Sequence, residues 1–289
     1  MKDVPLPEFD YLRPSSIEEL ISILNKHGSE AKLMAGGTDL LVLMRDRLIM
    51  PKFVVQINGI KGLHELSWDG EQGLSIGAAI TVNKIIDSKV VKERFGALWT
   101  AARELADQTI RNRATLVGNI CNASPAADSA PALLVHNAEV EVVSAKGSRK
   151  IRIEDFFKGV KRTALEPSEF VKAVRLPNPP EGARSLYLKW KRTWGEDLAL
   201  VGVAGLVANS GKWTVRVALS SVAPTPVLVP EIQNVFEGEG KLEEKIEKAA
   251  ALIPGGICSI TDVRCSAEYR THMATVLTKR VLRKLLGLS

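Results

Sequence analysis

Only three cysteines occur in the 289 residues, Cys121, Cys258 and Cys265, and none is spaced as C-x-x-C. That excludes a disulfide framework and leaves the chain unable to hold an iron–sulfur cluster or a structural zinc by itself. Three reduced and mostly buried thiols are the expectation. The four histidines, His27, His64, His136 and His272, stand singly and show no metal spacing. Aromatic residues make up only 5% of the chain, and Lys and Arg are scattered among acids, which argues against a nucleic-acid binder with stacking rings on a basic face. No apolar run approaches a membrane span, and the N-terminal MKDVPLPEFDYLRP lacks the basic-then-apolar pattern of a signal peptide, so a cytoplasmic chain with no membrane span is expected. There is no G-x-G-x-x-G, and Gly211-Lys212 is followed by Trp213 without P-loop spacing, which disfavours a Rossmann or P-loop nucleotide site. Any redox chemistry here has to come from an organic cofactor.

The chain is long enough to bury a full core, and its length suggests two domains or one large domain with an appendage. Hydrophobic content of 45% with 25% charged residues is that of an ordinary globular protein. The net charge of +6 fits an anionic cofactor or an acidic partner subunit at least as well as nucleic acid.

The stretch from Arg111 to His136, RNRATLVGNICNASPAADSAPALLVH, organises the rest. It sets Gly118-Asn119, Asn122, Ser124, Asp128 and Ser129 between two apolar runs, 114–117 and 130–135. Turn-formers this dense mark either a surface loop or a backbone cradle for a polar ligand. Apolar anchors at both ends favour the cradle, because free N–H groups near a core need an acceptor. A second candidate lies upstream: Lys32-Leu33-Met34-Ala35 reads as a buried strand running into Gly36-Gly37-Thr38-Asp39 and then into a helix from Leu40 to Arg45. Strand, glycine pair, hydroxyl and helix in that order aim backbone N–H groups at phosphate oxygens, although a tight strand-to-helix turn needs glycine in any case.

Elsewhere Ser15-Ser16 with Glu18-Glu19 caps an amphipathic helix that Gly28 ends. Strands are expected at 53–57, 73–79, 138–143, 150–153 and 169–176, and helices at 82–86 and 96–106, the latter burying Leu98, Ala101, Ala102 and Leu105. Pro177-Asn178-Pro179-Pro180-Glu181-Gly182 cannot continue a helix or a central strand, so a domain boundary is placed there. Beyond it, three strand runs at 184–194, 200–208 and 213–222 precede helices at 242–252 and 266–286, an α+β arrangement.

AGGTDLL at 35–41 followed by RNRATLVGNICNASPAADSAPALL, with YLKWKRTWGEDLALVGVA at 187–204 and SAEYR at 266–270, resembles the FAD-binding medium subunit of the molybdenum hydroxylases, the xanthine dehydrogenase and carbon monoxide dehydrogenase family. The likeness runs over nearly the whole chain. It implies an α+β fold: a two-lobed PCMH-type FAD-binding domain over residues 1–176, with lobes at about 1–57 and 58–176, then an α+β C-terminal domain from 177 to 289 built on a three-stranded antiparallel sheet with helices. It implies that main-chain N–H groups of Leu33, Met34, Ala35, Gly36, Gly37, Thr38, Asp39 and Leu40 wrap the FAD pyrophosphate, with the Thr38 hydroxyl adding a contact. Thr115, Gly118 and Asn119 would form the facing cradle, with Ala114 and Cys121 also among the cofactor-binding residues, and Asp128 would accept hydrogen bonds from cofactor hydroxyls. Leu105 would flank the isoalloxazine ring and Lys189 and Glu196 would lie near it, with Val171 also among the cofactor-binding residues. Val117 departs from the family, which often has glycine there, and that bears on how closely this turn approaches the phosphates.

The resemblance further implies electron transfer without substrate chemistry on this chain. A large subunit would carry the molybdenum cofactor, a small subunit would carry 2Fe–2S clusters, and FAD here would pass electrons to NAD or another acceptor, in what would be a dimer of heterotrimers. No catalytic acid, base or nucleophile and no metal ligand is assigned. A stand-alone FAD-dependent reductase on the same fold and a flavin-free scaffold subunit are the alternatives.

Overall fold

The fold was obtained as a computed structural model and is described for residues 5–288. The first helix, Ile17–His27, forms where the capping pattern puts it: the Ser16 hydroxyl accepts from the Glu19 N–H at 3.2 Å, and the Glu19 carboxylate accepts from the Ser15 N–H at 2.7 Å. Gly28, at φ +50°, ends it. This helix leads into Ala31–Met34, which pairs in parallel with Phe53–Gln56. That strand also pairs in parallel with Asp10–Leu12, making a three-stranded sheet.

A second, five-stranded antiparallel sheet follows, in the order Leu66–Asp69, Gly73–Gly77, Phe170–Leu176, Glu139–Ser144, Gly147–Arg152. Its first strand was not expected from the sequence. Leu66–Asp69 alternates half-buried and exposed positions along one edge, a pattern too short to stand out from the turn that follows. One apolar core joins both sheets to the helices between them, including Gly96–Glu104 and Ser129–Val135. Gly96–Glu104 stops two residues earlier than expected because Ala106 takes a left-handed φ of 43°. The Arg111 guanidinium fixes that bend by donating to the carbonyls of Arg103, Leu105 and Ala106 at 3.1, 3.0 and 2.6 Å.

Past the proline-rich segment, Arg184–Trp190, Val201–Asn209 and Trp213–Ser220 form an antiparallel sheet as expected. The short Val227–Leu228 adds a fourth strand at its edge. Val201–Asn209 is buried along nearly its whole length because both faces are covered. Val203 and Val207 pack with the long helix Ala267–Leu286, while Ala204 and Leu206 pack toward the N-terminal core, the period-2 alternation of a strand between two layers. The outer edge of Arg184–Trp190 is covered by the helix Gly96–Glu104: Thr100 Oγ1 accepts from the Tyr187 N–H at 2.9 Å, and Ser185 Oγ accepts from the Ala97 N–H at 2.9 Å.

The expectation of mostly buried thiols is corrected for one cysteine. Cys258 is exposed, in the extended segment before the last helix, while Cys121 and Cys265 are half-buried and all three are free. Cys121 lies partly under protein, and burial pushes its thiol up to about 12.

His136 closes the junction between the two halves. It is 2% exposed, its Nε2 lies 3.1 Å from Ser185 Oγ, and its Nδ1 has no partner. Burial, with the Arg216 guanidinium adding to it, holds the imidazole down at about 3, so it stays neutral in the fold. The unfolded chain binds a proton near the ordinary value of about 6.5 that the folded chain refuses, so stability falls as pH drops below about 6.5. Urea unfolding at pH 7 and pH 5 is expected to show His136→Gln losing about 2 kcal/mol less than the parent over that window. Equal losses would mean His136 is not the titrating group.

Candidate cofactor site

Two backbone bends meet in the first half of the chain. The strand Ala31–Met34 ends at Met34, and the helix Leu40–Arg45 does not begin until Leu40. Between them Gly37 takes φ +77°, a conformation that glycine adopts without strain. Among the described residues, no acceptor in the protein takes a hydrogen bond from the N–H of Gly36, Gly37, Thr38 or Asp39, and the Thr38 hydroxyl is likewise unbonded. The Asp39 carboxylate does not cap the helix that follows; its Oδ1 accepts from Asn122 Nδ2 at 2.6 Å.

The other bend comes from the central stretch, and here the structure revises the sequence expectation of a turn-rich loop. Leu116–Cys121 and Ser129–Val135 are short helices. Thr115 caps the first, its Oγ1 accepting from the Gly118 N–H at 3.0 Å. Pro131 sits in the first turn of the second, where its missing N–H costs nothing. Gly36 rests directly on the backbone of Arg113 and Ala114, with no room for a Cβ, so the two bends expected to face each other do so in contact. Ala114 is fixed in turn by its carbonyl, which accepts from the Val82 N–H at 2.9 Å. Asn119 Oδ1 accepts from Ser129 Oγ at 2.6 Å, tying the two short helices together. Val117 is 5% exposed and packs into the core, so its side chain does not stand between the bend and a ligand. The helix bearing Thr115 as cap and Cys121 at its end packs against the strand that carries Val171, itself buried beside a β-bulge.

A third feature lies where the C-terminal sheet meets this domain. Tyr187 and Lys189, two apart on one strand, face the same way. Tyr187 Oη donates to Asp128 Oδ1 at 2.6 Å, and Lys189 Nζ donates to Asp128 Oδ2 and to the Glu104 carbonyl, both at 3.0 Å. Gly202 on the neighbouring strand leaves the space that the Tyr187 hydroxyl occupies. Burial raises the Asp128 pKa, and the Lys189 ammonium opposes that rise. Tyr187 is raised well above its usual value, by burial first and by the Asp128 charge second, and so remains a donor. Lys189 is therefore not a surface charge: its side chain is 3% exposed and ion-paired.

Asp128 already receives two protein donors, which leaves it fewer lone pairs for an external hydroxyl than the sequence suggested. Glu196 stands apart on an exposed loop. There the hydrogen bond it shares with Asp107 raises its pKa, and it makes no bond to Lys189. Leu105 is 8% exposed, at the bend that Arg111 holds.

Sequence reasoning did not assign Tyr187, Arg111, Asn122 or Lys161 to the site. Tyr187 was legible as the residue two before Lys189 on a strand, and Asn122 lay in the stretch already singled out. Nothing local marks Arg111 as a carbonyl clamp or Lys161 as the ammonium that donates to Asn122 Oδ1 at 2.7 Å.

A row of unsatisfied N–H groups on a side-chain-poor bend, closed from the other side by peptide backbone, fits the diphosphate of a dinucleotide outside the Rossmann and P-loop classes. The comparisons narrow this to one family. Residues 7–179 match the family described as FAD binding domain in molybdopterin dehydrogenase, and residues 185–285 match the CO dehydrogenase flavoprotein C-terminal domain. The chain belongs to the FAD-binding medium-subunit family of the molybdenum hydroxylases. It is 34% identical over 279 residues to the carbon monoxide dehydrogenase medium chain of Hydrogenophaga pseudoflava, covering 96% of each chain. It is 29% identical over 275 residues to the putative xanthine dehydrogenase FAD-binding subunit of Escherichia coli, covering 94% of each. The solved carbon monoxide dehydrogenase of Hydrogenophaga pseudoflava that lacks the Mo-pyranopterin moiety superposes at a TM-score of 0.93 with 32% identity, over 98% of this chain and 99% of that one. Among the described residues no helix is long and apolar enough to cross a membrane, and no cluster of potential metal ligands forms.

Gly36→Ala tests the contact between the bends. The added methyl cannot coexist with the Arg113 carbonyl, so the first bend must lift away, and the FAD content of the purified chain is expected to fall at least about tenfold. Gly70→Ala, in open space, serves as control and keeps its flavin. Equal flavin content in the two variants would refute the assignment of this contact.

Proposed function

We propose that this chain is the electron-transfer flavoprotein of a molybdenum hydroxylase complex. It receives electrons from 2Fe–2S clusters on a small partner subunit and delivers them to an external acceptor, NAD or another carrier. Substrate oxidation takes place at a molybdenum cofactor on a large partner subunit, and the whole is a dimer of heterotrimers. What carries this assignment is the meeting of the Gly36–Asp39 bend with the Arg113–Thr115 backbone, which leaves an unsatisfied N–H row on a domain of the FAD-binding family. Bound FAD supplies a junction that takes up electrons singly and gives them up in pairs.

The chain's own residues bind and orient. Leu33 to Leu40 present main-chain groups to the diphosphate on one side, and Ala114, Thr115, Gly118, Asn119 and Cys121 frame the other. Thr115 and Asn119 act mainly by fixing the second bend, since their side chains are engaged with Gly118 and Ser129. Leu105 and Lys189 lie at the ring end, Asp128 meets the cofactor hydroxyls, and Val171 lines the same site. The Asp128–Lys189 pair is neutral overall, so it contributes an oriented donor and acceptor and little net field. We place the division between the FAD-binding domain, 1–176, and the C-terminal domain, 177–289, at the proline-rich segment, and the two family matches abut there. A cytoplasmic setting belongs to the same proposal, and the exposed, unpaired Cys258 suits a compartment that keeps thiols reduced.

The visible spectrum of the purified full-length chain tests this. Flavin bands are expected, together with slow or absent bleaching by NADH alone followed by rapid turnover once the partner subunits and their substrate are added. A colourless chain that takes up no added FAD would sink the proposal in favour of a scaffold. Substrate turnover by the chain alone would replace it with a stand-alone reductase.

A further inference from the structure

A short hairpin on the second lobe reaches the meeting point of the two bends. Its strands, Phe157–Gly159 and Arg162–Thr163, flank a tip in which Lys161 takes φ +58°. The Lys161 N–H donates to the Ala123 carbonyl at 2.9 Å, and Ala123 is itself left-handed at φ +45°. Two non-glycine residues held in this region and bonded to each other mean that the surroundings fix the tip in place.

From that anchor the side chains run in one line: Lys161 Nζ donates to Asn122 Oδ1 at 2.7 Å, and Asn122 Nδ2 donates to Asp39 Oδ1 at 2.6 Å. Only one orientation of the Asn122 amide satisfies both ends, because a flipped amide would aim NH2 at an ammonium and C=O at a carboxylate. Asp39 belongs to the bend whose N–H groups meet no acceptor in the protein, so its carboxylate adds a negative charge beside the position assigned to a diphosphate. Desolvation of that carboxylate raises its pKa, and the opposing charge acting on it is Lys161.

Resting on the assignment of this bend to the FAD diphosphate, we propose that Lys161 is a cofactor-positioning residue. From the hairpin tip, through Asn122, it neutralises Asp39 so that the Gly36–Asp39 bend accepts an anion, and it ties the two lobes together across the site.

The experiment uses the full-length chain stripped of flavin and titrated with FAD, followed by flavin fluorescence, with thermal unfolding of each FAD-free variant as a folding control. Lys161→Met is expected to weaken FAD binding about tenfold or more while FAD-free unfolding stays close to wild type. Added salt is expected to restore part of that loss, because it screens the exposed Asp39 charge. The double variant Lys161→Met with Asp39→Asn is expected to recover most of the affinity, since it removes the charge that Lys161 offsets. Lys161→Arg is expected to bind FAD nearly as wild type does. Lys161→Gln keeps a donor for Asn122 without the charge, and it is expected to behave as Lys161→Met; wild-type affinity in Lys161→Gln would overturn the charge role. Unchanged affinity in Lys161→Met, or an equal loss in the single and double variants, would overturn the proposal itself. A wild-type chain that takes up no FAD would overturn the underlying diphosphate assignment.

Discussion

Backbone resting on backbone, Gly36 against Arg113 and Ala114, is the contact on which the site depends. Two peptide segments from different lobes approach with no side chain between them. At that point the first has left its strand and has not yet entered its helix. Its N–H groups are therefore spoken for by neither element. That leaves a row of backbone donors able to meet an anionic acceptor, the role proposed for it. Asp39, the N-cap residue of the helix Leu40–Arg45, does not cap it and sends its carboxylate to Asn122.

The seating of the C-terminal sheet is built on a different device. Strand geometry puts Tyr187 and Lys189 on one face, and the edge position of their strand brings that face against the helix Gly96–Glu104. Asp128, at the start of Ser129–Val135, then meets a phenol and an ammonium from a domain whose sequence begins some fifty residues later. Breaking either bond would leave a buried carboxylate short of a donor, a penalty of about 1–3 kcal/mol or more. The pair thus couples the seating of the C-terminal sheet to the geometry of the N-terminal domain, and His136 with Ser185 repeats the coupling a short way off. Residues proposed to bind the cofactor also carry the domain packing here.

Much of the fold was legible because its signals are local. The Ser16 cap, the Gly28 stop and the hairpin between Glu139–Ser144 and Gly147–Arg152 are each written within a few residues of where they act. The glycine bend was legible for the same reason. The central stretch was misleading in its form: Gly118, Asn119, Ser129 and Pro131 look like turn residues, yet Thr115 capping and a first-turn proline make them compatible with two short helices. What stayed hidden is long-range pairing. Asp39 with Asn122, Asn122 with Lys161 and Asp128 with Tyr187 join residues dozens of positions apart, and no periodicity or propensity encodes a partner at that distance.

Those pairings also bear on how the proposed site would take an anion. The chain carries a net charge of +6, yet each carboxylate at the site is matched to one lysine, Asp128 to Lys189 directly and Asp39 to Lys161 through an amide. Within each of these two pairs the charges cancel. Attraction then rests on the N–H dipoles of the bend, which act over a few ångströms and select for an acceptor of the right shape. A cluster of free lysines would draw in any polyanion, and would do so less well as salt increased. Neutral pairs around an unsatisfied backbone row exchange that reach for selectivity, which suits a cofactor that is bound once and kept.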